Sequence, residues 1–219
     1  MSKIAIVLSG SGYLDGTEIQ EAVLTILSLE KLGISWEGIA LNENQKQIIN
    51  HKSQSVDSKS SPRNILEESA RITRGNVIDI QDADGDNYDA VIFPGGFGAA
   101  KNILDFAFVG DDTYKMNKDV LSFARLFYLS DKPAGFICIA PLMIPIIYPE
   151  GTKATIGTDE STADILRAKG ADVEIMNATE ICVDESMKVV STPAYMCGKN
   201  IVDVSIGIDK LVQKVISYI

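Results

Sequence analysis

Short apolar runs alternate with amphipathic segments along almost the whole chain. The nearly continuous apolar runs Lys3–Leu8, Tyr88–Phe93 and Ala134–Ile137 are typical of central parallel strands that are covered on both faces. Further strands, some of them antiparallel and near an edge, are predicted over 35–41, 77–80, 173–175, 181–183 and 188–191. Helices are predicted over 62–74, 99–107, 115–130, 160–169 and 198–216, besides a first helix that begins at Thr17.

The first helix illustrates the pattern and fixes the fold class. Thr17 and Gln20 have the spacing of a capping box, and Gly33 marks the expected helix end. Its buried face is expected to consist of Ile19, Ala22, Val23, Ile26, Leu27 and Leu29. Strands alternating with helices over 219 residues predict a single doubly wound α/β domain, 1–219, with a mostly parallel sheet and helices on both faces.

One segment interrupts this alternation. Residues 42–61 are polar, rich in Ser, Lys, Gln and Asn, and contain the only histidine, His51. We expect a surface excursion there rather than a domain boundary, with His51 as a solvated surface residue.

Charge and composition exclude several classes of function. The formal net charge of −10 provides no basic surface for nucleic acid or an anionic membrane. The apolar stretches are too short to span a bilayer, and Met1–Lys3 leads directly into a strand without the pattern of a targeting peptide. Three well-separated cysteines do not form a disulfide framework, and the sequence therefore predicts a cytoplasmic protein.

Four loops follow the carboxyl ends of predicted strands, where ligands bind in open parallel sheets. They are Ser9–Glu21, Pro94–Gly98, the turn at Cys138 and Thr192–Ala194. Cys138 stands between an apolar strand and a helix-compatible run, as the nucleophile does in an elbow, and a helix N-terminus there would favour the thiolate. The alternative is a buried strand cysteine that acts as a small hydrophobic residue. Cys182 and Cys197 are interpreted as structural.

Two acidic residues on the first helix are candidate partners of the cysteine. Glu18 and Glu21 lie three residues apart and therefore on one helix face. A carboxyl group buried in the crevice could donate to a thiolate or accept a substrate proton. For Glu18, compensation of the helix dipole is the preferred interpretation, whereas Glu21 lies deeper in the helix. The glycines of Pro94–Gly98 allow backbone N–H groups to approach a ligand, as an oxyanion hole requires.

Two motifs resemble a nucleotide-binding loop and a calcium-binding loop, but each lacks a residue that such a site requires. Ser9–Gly16 is glycine-rich, but Asp15 stands where a dinucleotide fingerprint needs Gly or Ala, and the acidic residues that follow would repel a pyrophosphate. Asp82–Asn87 resembles the start of a calcium loop, but Phe93 occupies the position of the final Glu ligand. No metal or nucleotide cofactor is therefore expected.

Six motifs spread over the chain together resemble the ElbB family. They are Asp15–Glu21, Ser69–Gly75, Val91–Asn102, Phe136–Pro141, Thr155–Asp159 and Thr192–Tyr195. That family belongs to the class I glutamine amidotransferase-like fold of the PfpI/ThiJ superfamily, and its bacterial members carry names that link them to isoprenoid biosynthesis and glyoxalase activity. The resemblance implies a flavodoxin-like fold and a homodimer.

The resemblance also implies roles for individual residues. Cys138 would be the nucleophile and Glu21, in preference to Glu18, the carboxyl group beside it. The N–H groups of Gly96 and Ile139 would form the oxyanion hole, with Gly95 as a secondary site residue.

This sequence departs from the amidase members of the superfamily at two points. They carry a histidine after the cysteine, where this chain has Ile156–Asp159, and a small residue where it has Phe136. Without a Cys-His pair, glutamine hydrolysis is not expected. The leading hypothesis is a cofactor-independent glyoxalase III-like lyase that acts on a small-molecule carbonyl substrate such as glyoxal. The alternatives are a cysteine redox sensor and an accessory protein of isoprenoid or other biosynthesis.

Overall fold

A seven-stranded sheet forms the centre of the computed structural model, which describes residues 2–219. The strands in chain order are β1 (Lys3–Leu8), β2 (Ser35–Ala40), β3 (Ile49–Asn50), β4 (Ser55–Val56), β5 (Val77–Asp79), β6 (Ala90–Phe93), β7 (Ala134–Ile137), β8 (Lys153–Ala154), β9 (Asp172–Val173), β10 (Cys182–Asp184) and β11 (Val189–Thr192). The central sheet has the order β10-β11-β7-β6-β1-β2-β5, and only β10 runs antiparallel to its neighbour. The pairs β3-β4 and β8-β9 form separate ribbons.

Helices cover both faces of this sheet, as predicted. They are α1 (Ile19–Lys31), α2 (Ile65–Thr73), α3 (Phe106–Val109), α4 (Lys118–Leu129), α5 (Ile144–Ile147), α6 (Glu160–Ala168) and α7 (Ile201–Ile216). Asparagine caps set three of the starts, at Asn64, Asn117 and Asn200, where each side chain accepts a backbone N–H of the first turn. Among residues 2–219, no helix is both long and apolar enough to cross a membrane.

The strand order places three loops side by side. The chain crosses from one half of the sheet to the other between β1 and β6, and β7 lies next to β6. In a doubly wound sheet this switch point opens a crevice at the carboxyl ends of the strands. The loops after β1, β6 and β7 carry the predicted acidic, glycine and cysteine residues, and they therefore meet at this crevice.

Two predicted helices have a different form. The helix predicted over 99–107 is a π-helical turn, Ala99–Ile103, followed by the separate α3. The helix-compatible run after Cys138 is a 3₁₀ turn, Ala140–Met143, that continues into the single turn of α5. The elbow is thus followed by a short and irregular helix.

The predicted buried face of α1 is wrong in part. Ala22 and Leu29 are buried as expected, but Ile19, Val23 and Leu27 are each more than 40% exposed. The face that packs inward instead carries Glu21 and the small polar residues Thr25 and Ser28. Their hydroxyl groups are satisfied, because Thr25 donates to the Glu21 carbonyl and Ser28 donates to Asp209 on α7. The helix therefore presents Glu21 to the interior and an apolar stripe to solvent.

The polar segment 42–61 packs against the loop that follows β1. The Gln45 side chain donates to the Asp15 carbonyl, and the Ile49 N–H donates to the Asp15 carboxylate at 2.7 Å. His51 is half-buried, with its ring 5.5 Å from that of Tyr13, so the prediction of a solvated His51 is wrong. Periodicity could not reveal this contact, because it joins residues more than thirty positions apart.

The bulky residue before the elbow has a packing role. Phe136 is fully buried in β7, and its ring stacks on that of Phe93 in β6 with centroids 5.0 Å apart. The ring of Tyr148 also packs against that of Phe136 in a T-shaped arrangement, with centroids 6.2 Å apart. Phe136 thus belongs to the core beneath the crevice rather than to its lining.

Candidate active site

Cys138 occupies a strained turn directly after β7. Its φ angle is 62°, in the left-handed region that residues other than glycine rarely adopt. The Cys138 N–H donates to the Thr192 carbonyl at 2.9 Å, which continues the pairing of β7 with β11 and holds the turn in place. The cysteine is 7% exposed at the base of the crevice. A strained residue at a strand end with a side chain that faces a crevice has the geometry of a nucleophile elbow.

Glu21 lies beside this cysteine and is completely buried. One carboxylate oxygen accepts the Gly95 N–H at 3.0 Å, and the other accepts the Tyr195 N–H at 3.3 Å. The carboxyl group also interacts with the Cys138 thiol. None of these partners carries a positive charge. Glu21 is therefore held by three different loops of the crevice without a counterion.

Burial is the main cause of the shifted pKa values of Glu21 and Cys138. Removal from water and the nearby Glu18 raise the pKa of Glu21 to about 8, against the opposing effect of its hydrogen bonds. Burial and the charge of ionised Glu21 raise the pKa of the Cys138 thiol well above its usual value. The N–H groups of Gly96 and Ile139 lower that pKa, but by less. The expected thiolate is therefore not the resting form of Cys138, and at neutral pH Glu21 is protonated in most molecules and ionised in a minority.

The glycine turn after β6 is required for this approach. A Cβ atom on Gly95 would lie 2.4 Å from the Cβ of Cys138 and 2.8 Å from a carboxylate oxygen of Glu21, so only glycine fits. Gly96 has a φ of 92°, and its N–H and that of Ile139 both favour the ionised Cys138 sulfur and so lower the pKa of the thiol. The two predicted oxyanion donors therefore lie close to the sulfur.

The loops after β1 and β6 are locked together by backbone contacts. The Glu18 N–H donates to the Gly95 carbonyl at 3.0 Å, and the Phe97 N–H donates to the Tyr13 carbonyl at 2.7 Å. Gly98 completes the series with a 2.8 Å bond to the Gly16 carbonyl. A Cβ on Gly98 would lie 2.5 Å from the Cα of Gly16, so the backbones of the two loops are in direct contact. The position of Glu21 relative to the glycine turn is thereby fixed.

Glu18 differs from Glu21 in both position and partner. It is the N-cap of α1, and its carboxylate accepts the Glu21 N–H at 2.6 Å. The predicted capping box at Thr17 and Gln20 is therefore wrong, because the helix begins one residue later and the Thr17 hydroxyl instead accepts the Ser9 N–H. The position of Glu18 at the helix N-terminus agrees with the predicted compensation of the helix dipole. Burial raises its pKa, and its side chain also forms part of the crevice wall.

No histidine takes the position beside Cys138 that amidases require. In the segment Thr155–Asp159, Asp159 caps α6 by accepting from Ser161 and Thr162, and it lines the crevice. His51 lies 3.6 Å from Asp15 and packs on Tyr13, and it is not among the residues that line the crevice at Cys138. The carboxyl group of Glu21 is therefore the titratable group that contacts the cysteine.

A cavity of about 240 Å³ opens above Cys138. Its walls are Tyr13, Glu18, Gly96, Phe97, Phe106, Ile139, Asp159, Thr162, Tyr195 and Met196. Another cavity of about 270 Å³ lies at Lys101, Asp105 and Asn117, and its lining includes no cysteine, serine or threonine. Among residues 2–219, no group of His, Cys, Asp and Glu side chains is arranged to hold a metal ion.

Tyr195 and the aromatic walls were not identified as site residues from the sequence. The turn after β11 places Ala194 at a φ of 43° and so aims the Tyr195 N–H at Glu21. The tyrosine hydroxyl contacts Gln20 of α1. The sequence feature that could have identified Tyr195 as a site residue is the Thr-Pro-Ala-Tyr motif, which follows the carboxyl end of a predicted strand. Phe97 and Phe106 carried no comparable signal, because aromatic residues are as common in cores as in sites.

Comparison with known proteins identifies the family. The chain is 38% identical to the rat ES1 protein homolog, mitochondrial, over 224 residues that cover 98% of this chain and 83% of the relative. It is also 38% identical to the human glutamine amidotransferase-like class 1 domain-containing protein 3, mitochondrial, with 98% and 82% coverage. No protein-family model matches the chain.

Solved structures agree with this assignment. The crystal structure of an isoprenoid biosynthesis protein with amidotransferase-like domain from Ehrlichia chaffeensis has a TM-score of 0.91 and 31% identity, and the match covers 100% of this chain and 99% of that one. DJ-1 from Schizosaccharomyces pombe shares the fold, with a TM-score of 0.60 and 16% identity over 99% of this chain and 91% of that one.

The relatives correct one prediction. The rat, human and zebrafish proteins are all named as mitochondrial, so the prediction of a cytoplasmic protein is wrong. The prediction rested on the start of the sequence and on the cysteine pattern. Sequence identity above 30% over most of the relatives' length establishes the family. The chain belongs to the ES1 family of class I glutamine amidotransferase-like proteins.

Proposed function

We propose that this protein is a cofactor-independent glyoxalase III-like enzyme of the ElbB group that converts glyoxal, or a similar small dicarbonyl, to a hydroxy acid. The observation that carries the proposal is the close approach of Glu21 and Cys138, which both lie against Gly95. A base with a pKa of about 8 is partly ionised near neutral pH and still takes up protons effectively. A buried thiol next to that base does not need to be a thiolate at rest.

The first step is addition of sulfur to one carbonyl of the substrate. Ionised Glu21 takes the thiol proton while the Cys138 sulfur bonds to the aldehyde carbon. The carbonyl oxygen becomes an oxyanion, which the Gly96 and Ile139 N–H groups beside the sulfur stabilise. Protonation of this oxygen gives a hemithioacetal.

The second step moves a proton between neighbouring carbons. Glu21 removes the proton from the carbon that bears sulfur, and the electron pair passes to the adjacent carbonyl to form an enediol. Return of the proton to the second carbon gives a thioester of glycolate. Water then cleaves the thioester, which releases glycolate and restores the Cys138 thiol. These steps use the atoms of glyoxal and one water molecule, and they need no metal, nucleotide or external thiol.

Substitution of the nucleophile tests the proposal. Cys138→Ala should abolish glycolate formation from glyoxal, measured by chromatography of the product. Cys182→Ala is the matched control, because Cys182 is also buried but lies in β10 at the edge of the sheet. Equal turnover by the Cys138→Ala variant and the parent protein would refute the mechanism.

A second candidate function is redox sensing by the same cysteine. It is favoured by the two N–H groups that point at the Cys138 sulfur, because they could stabilise oxygen atoms added to it. The raised pKa of the thiol disfavours it, since the thiolate is the form that oxidises. Intact-mass measurement after mild peroxide decides the matter, and absence of an oxygen adduct on Cys138 would count against sensing.

The expected partners follow from the same hypothesis. A small-molecule carbonyl substrate and a homodimer remain predictions, as does an accessory role in isoprenoid or other biosynthesis. The name of the Ehrlichia chaffeensis protein supports the isoprenoid link. The exposed apolar residues Ile19, Val23 and Leu27 on α1 are compatible with self-association. Light scattering on the purified protein measures the oligomeric state directly.

A further inference from the structure

The cavity above Cys138 has an unusual combination of walls. Four aromatic rings surround it, together with Ile139 and Met196. The rings are those of Tyr13, Phe97, Phe106 and Tyr195. Aromatic and aliphatic walls of this kind bind flat or branched apolar groups by contact and stacking.

The charges at the cavity are all of one sign. Glu18 and Asp159 line it, and hydrogen bonds from Ser161 and Thr162 lower the pKa of Asp159, so Asp159 is ionised at neutral pH. The lining residues include no lysine, arginine or histidine. Lys101 is the cation on the neighbouring loop, but its ammonium donates to the Leu14 carbonyl and to Gln47, behind the ring of Phe97.

We propose that this cavity selects uncharged carbonyl compounds with an aromatic or branched apolar substituent and rejects carbonyl compounds that carry a carboxylate or phosphate. This inference deepens the proposed function and rests on it. An anion in the cavity would lie near Glu18 and Asp159 and would lose its water without gaining a cation as partner. An apolar ring in the same place has no hydrogen bonds to water to lose, and it would contact the aromatic walls.

The size of the cavity favours a dicarbonyl substrate that carries a larger substituent than the hydrogen atoms of glyoxal. The cavity has a volume of about 240 Å³. Glyoxal has only four non-hydrogen atoms and would leave much of the apolar wall uncovered. An aryl 2-oxoaldehyde such as phenylglyoxal can place its aldehyde carbon at Cys138 and its ring between the aromatic walls.

Charged and neutral thiol reagents test the charge preference without any turnover. Methyl methanethiosulfonate is neutral and 2-sulfonatoethyl methanethiosulfonate is anionic, and both convert a thiol to a disulfide with loss of methanesulfinate. The rate at Cys138 is followed by mass spectrometry of its peptide, with N-acetylcysteine amide as the free-thiol reference. The neutral-to-anionic rate ratio at Cys138 should exceed that of the reference at least tenfold. A ratio within twofold of the reference would overturn the inference.

Removal of the two carboxylate charges makes the test specific. The Glu18→Gln and Asp159→Asn variants should each accelerate the anionic reagent at least threefold relative to the neutral reagent, a ratio that cancels any change in the reactivity of the thiol itself. A matched control is Asp164→Asn, which removes a charge of the same sign from the exposed side of α6. If Asp164→Asn accelerates the anionic reagent as much as Asp159→Asn does, the net charge of the protein and not the cavity sets the preference, and the inference fails.

Turnover separates this inference from the proposed function. The kcat/KM for phenylglyoxal should exceed that for 4-carboxyphenylglyoxal at least tenfold, after subtraction of the rate with Cys138→Ala. If both compounds are converted equally, the charge preference is refuted while the glyoxalase activity stands. If no dicarbonyl is converted, the proposed function fails, and the reagent ratio at Cys138 still decides whether the cavity excludes anions.

Discussion

Glu21 and Asp15 are two fully buried carboxyl groups near the carboxyl end of β1, and the protein accommodates them in opposite ways. Asp15 faces positive or ionisable groups, with His51 at 3.6 Å and Arg63 at 4.0 Å, and it accepts the Ile49 N–H. Glu21 accepts two backbone N–H groups and contacts a thiol, but it has no such counterion.

This difference separates a structural carboxylate from a chemically useful one. A buried carboxylate that lies near a cation, here Arg63, and accepts a backbone N–H joins two parts of the chain, here the loop after β1 and the segment 42–61. A buried carboxyl group without a cation keeps its proton to higher pH and can exchange it with a neighbour. The absence of a counterion at Glu21 is therefore the feature that makes it a candidate for catalysis.

The largest expected effect is on turnover. Glu21→Gln keeps the shape of the side chain but cannot take up a proton, so kcat/KM for the proposed reaction should fall about 10²–10⁴-fold. Glu30→Gln on the exposed side of the same helix is the control and should leave kcat/KM unchanged. Steady-state kinetics with glyoxal measure both variants. Full activity in the Glu21→Gln variant would remove Glu21 from the mechanism.

The next effect is on the pH dependence of stability. Because the pKa of Glu21 is raised from 4.5 to about 8 in the folded protein, the folded state binds this proton more tightly than the unfolded state does. The stabilisation is fully present below pH 4.5 and is lost as the pH rises through about 8, to a total of about 5 kcal/mol.

Urea denaturation at a series of pH values measures this loss. The free energy of unfolding should fall with pH more steeply in the parent protein than in the Glu21→Gln variant, which cannot titrate at this position. The slope is the informative quantity, since an amide NH₂ would oppose one of the N–H donors and shift the stability at every pH. Parallel curves would show that Glu21 ionises freely in the folded protein.

Removal of the structural carboxylate should cost about 3 kcal/mol. Asp15→Ala leaves the Ile49 N–H and the side chains of His51 and Arg63 without their partner in a partly buried place. Asp86→Ala, at an exposed position, is the control and should change the free energy of unfolding by less than about 0.5 kcal/mol. If both variants unfold at the same urea concentration, Asp15 does not join the two segments.

The smallest effect is expected at His51. His51→Ala removes the acceptor of the Leu14 N–H and the ring that packs on Tyr13, and it should cost about 1 kcal/mol. The double variant with Asp15→Ala should lose less than the sum of the two single variants, because the two residues share one contact. Strict additivity of the free energies of unfolding would show that the two side chains act independently.

The sequence predicted the parts of the site that depend on strand order. Cys138, Glu21 and the glycine turn each follow a recognisable apolar strand, and a doubly wound sheet brings such loops together by topology. The preference for Glu21 over Glu18 agrees with its burial against Gly95, although its chemical role stays a prediction.

The parts that failed depend on contacts between segments remote in the chain. α1 has apolar residues around most of its circumference, so periodicity could not tell which of them would face α7 and which would face solvent. Periodicity also could not predict the burial of His51, because that burial results from the packing of segment 42–61 on Asp15. The protonation of Cys138 was misjudged because the sequence does not show how completely the thiol is buried, and burial is the main cause of its raised pKa.

The locked loops at Glu18, Phe97 and Gly98 have a consequence for the dynamics of the protein. Their amide protons are engaged in bonds that run from one loop to the other, and the glycine contacts leave no space for sliding. These amides should exchange with deuterium only when the domain unfolds globally, at the same rate as those of the central strands. Access to the cysteine is then not controlled by opening of this side of the crevice, and any gating motion belongs to the wall formed by Phe106 and Met196.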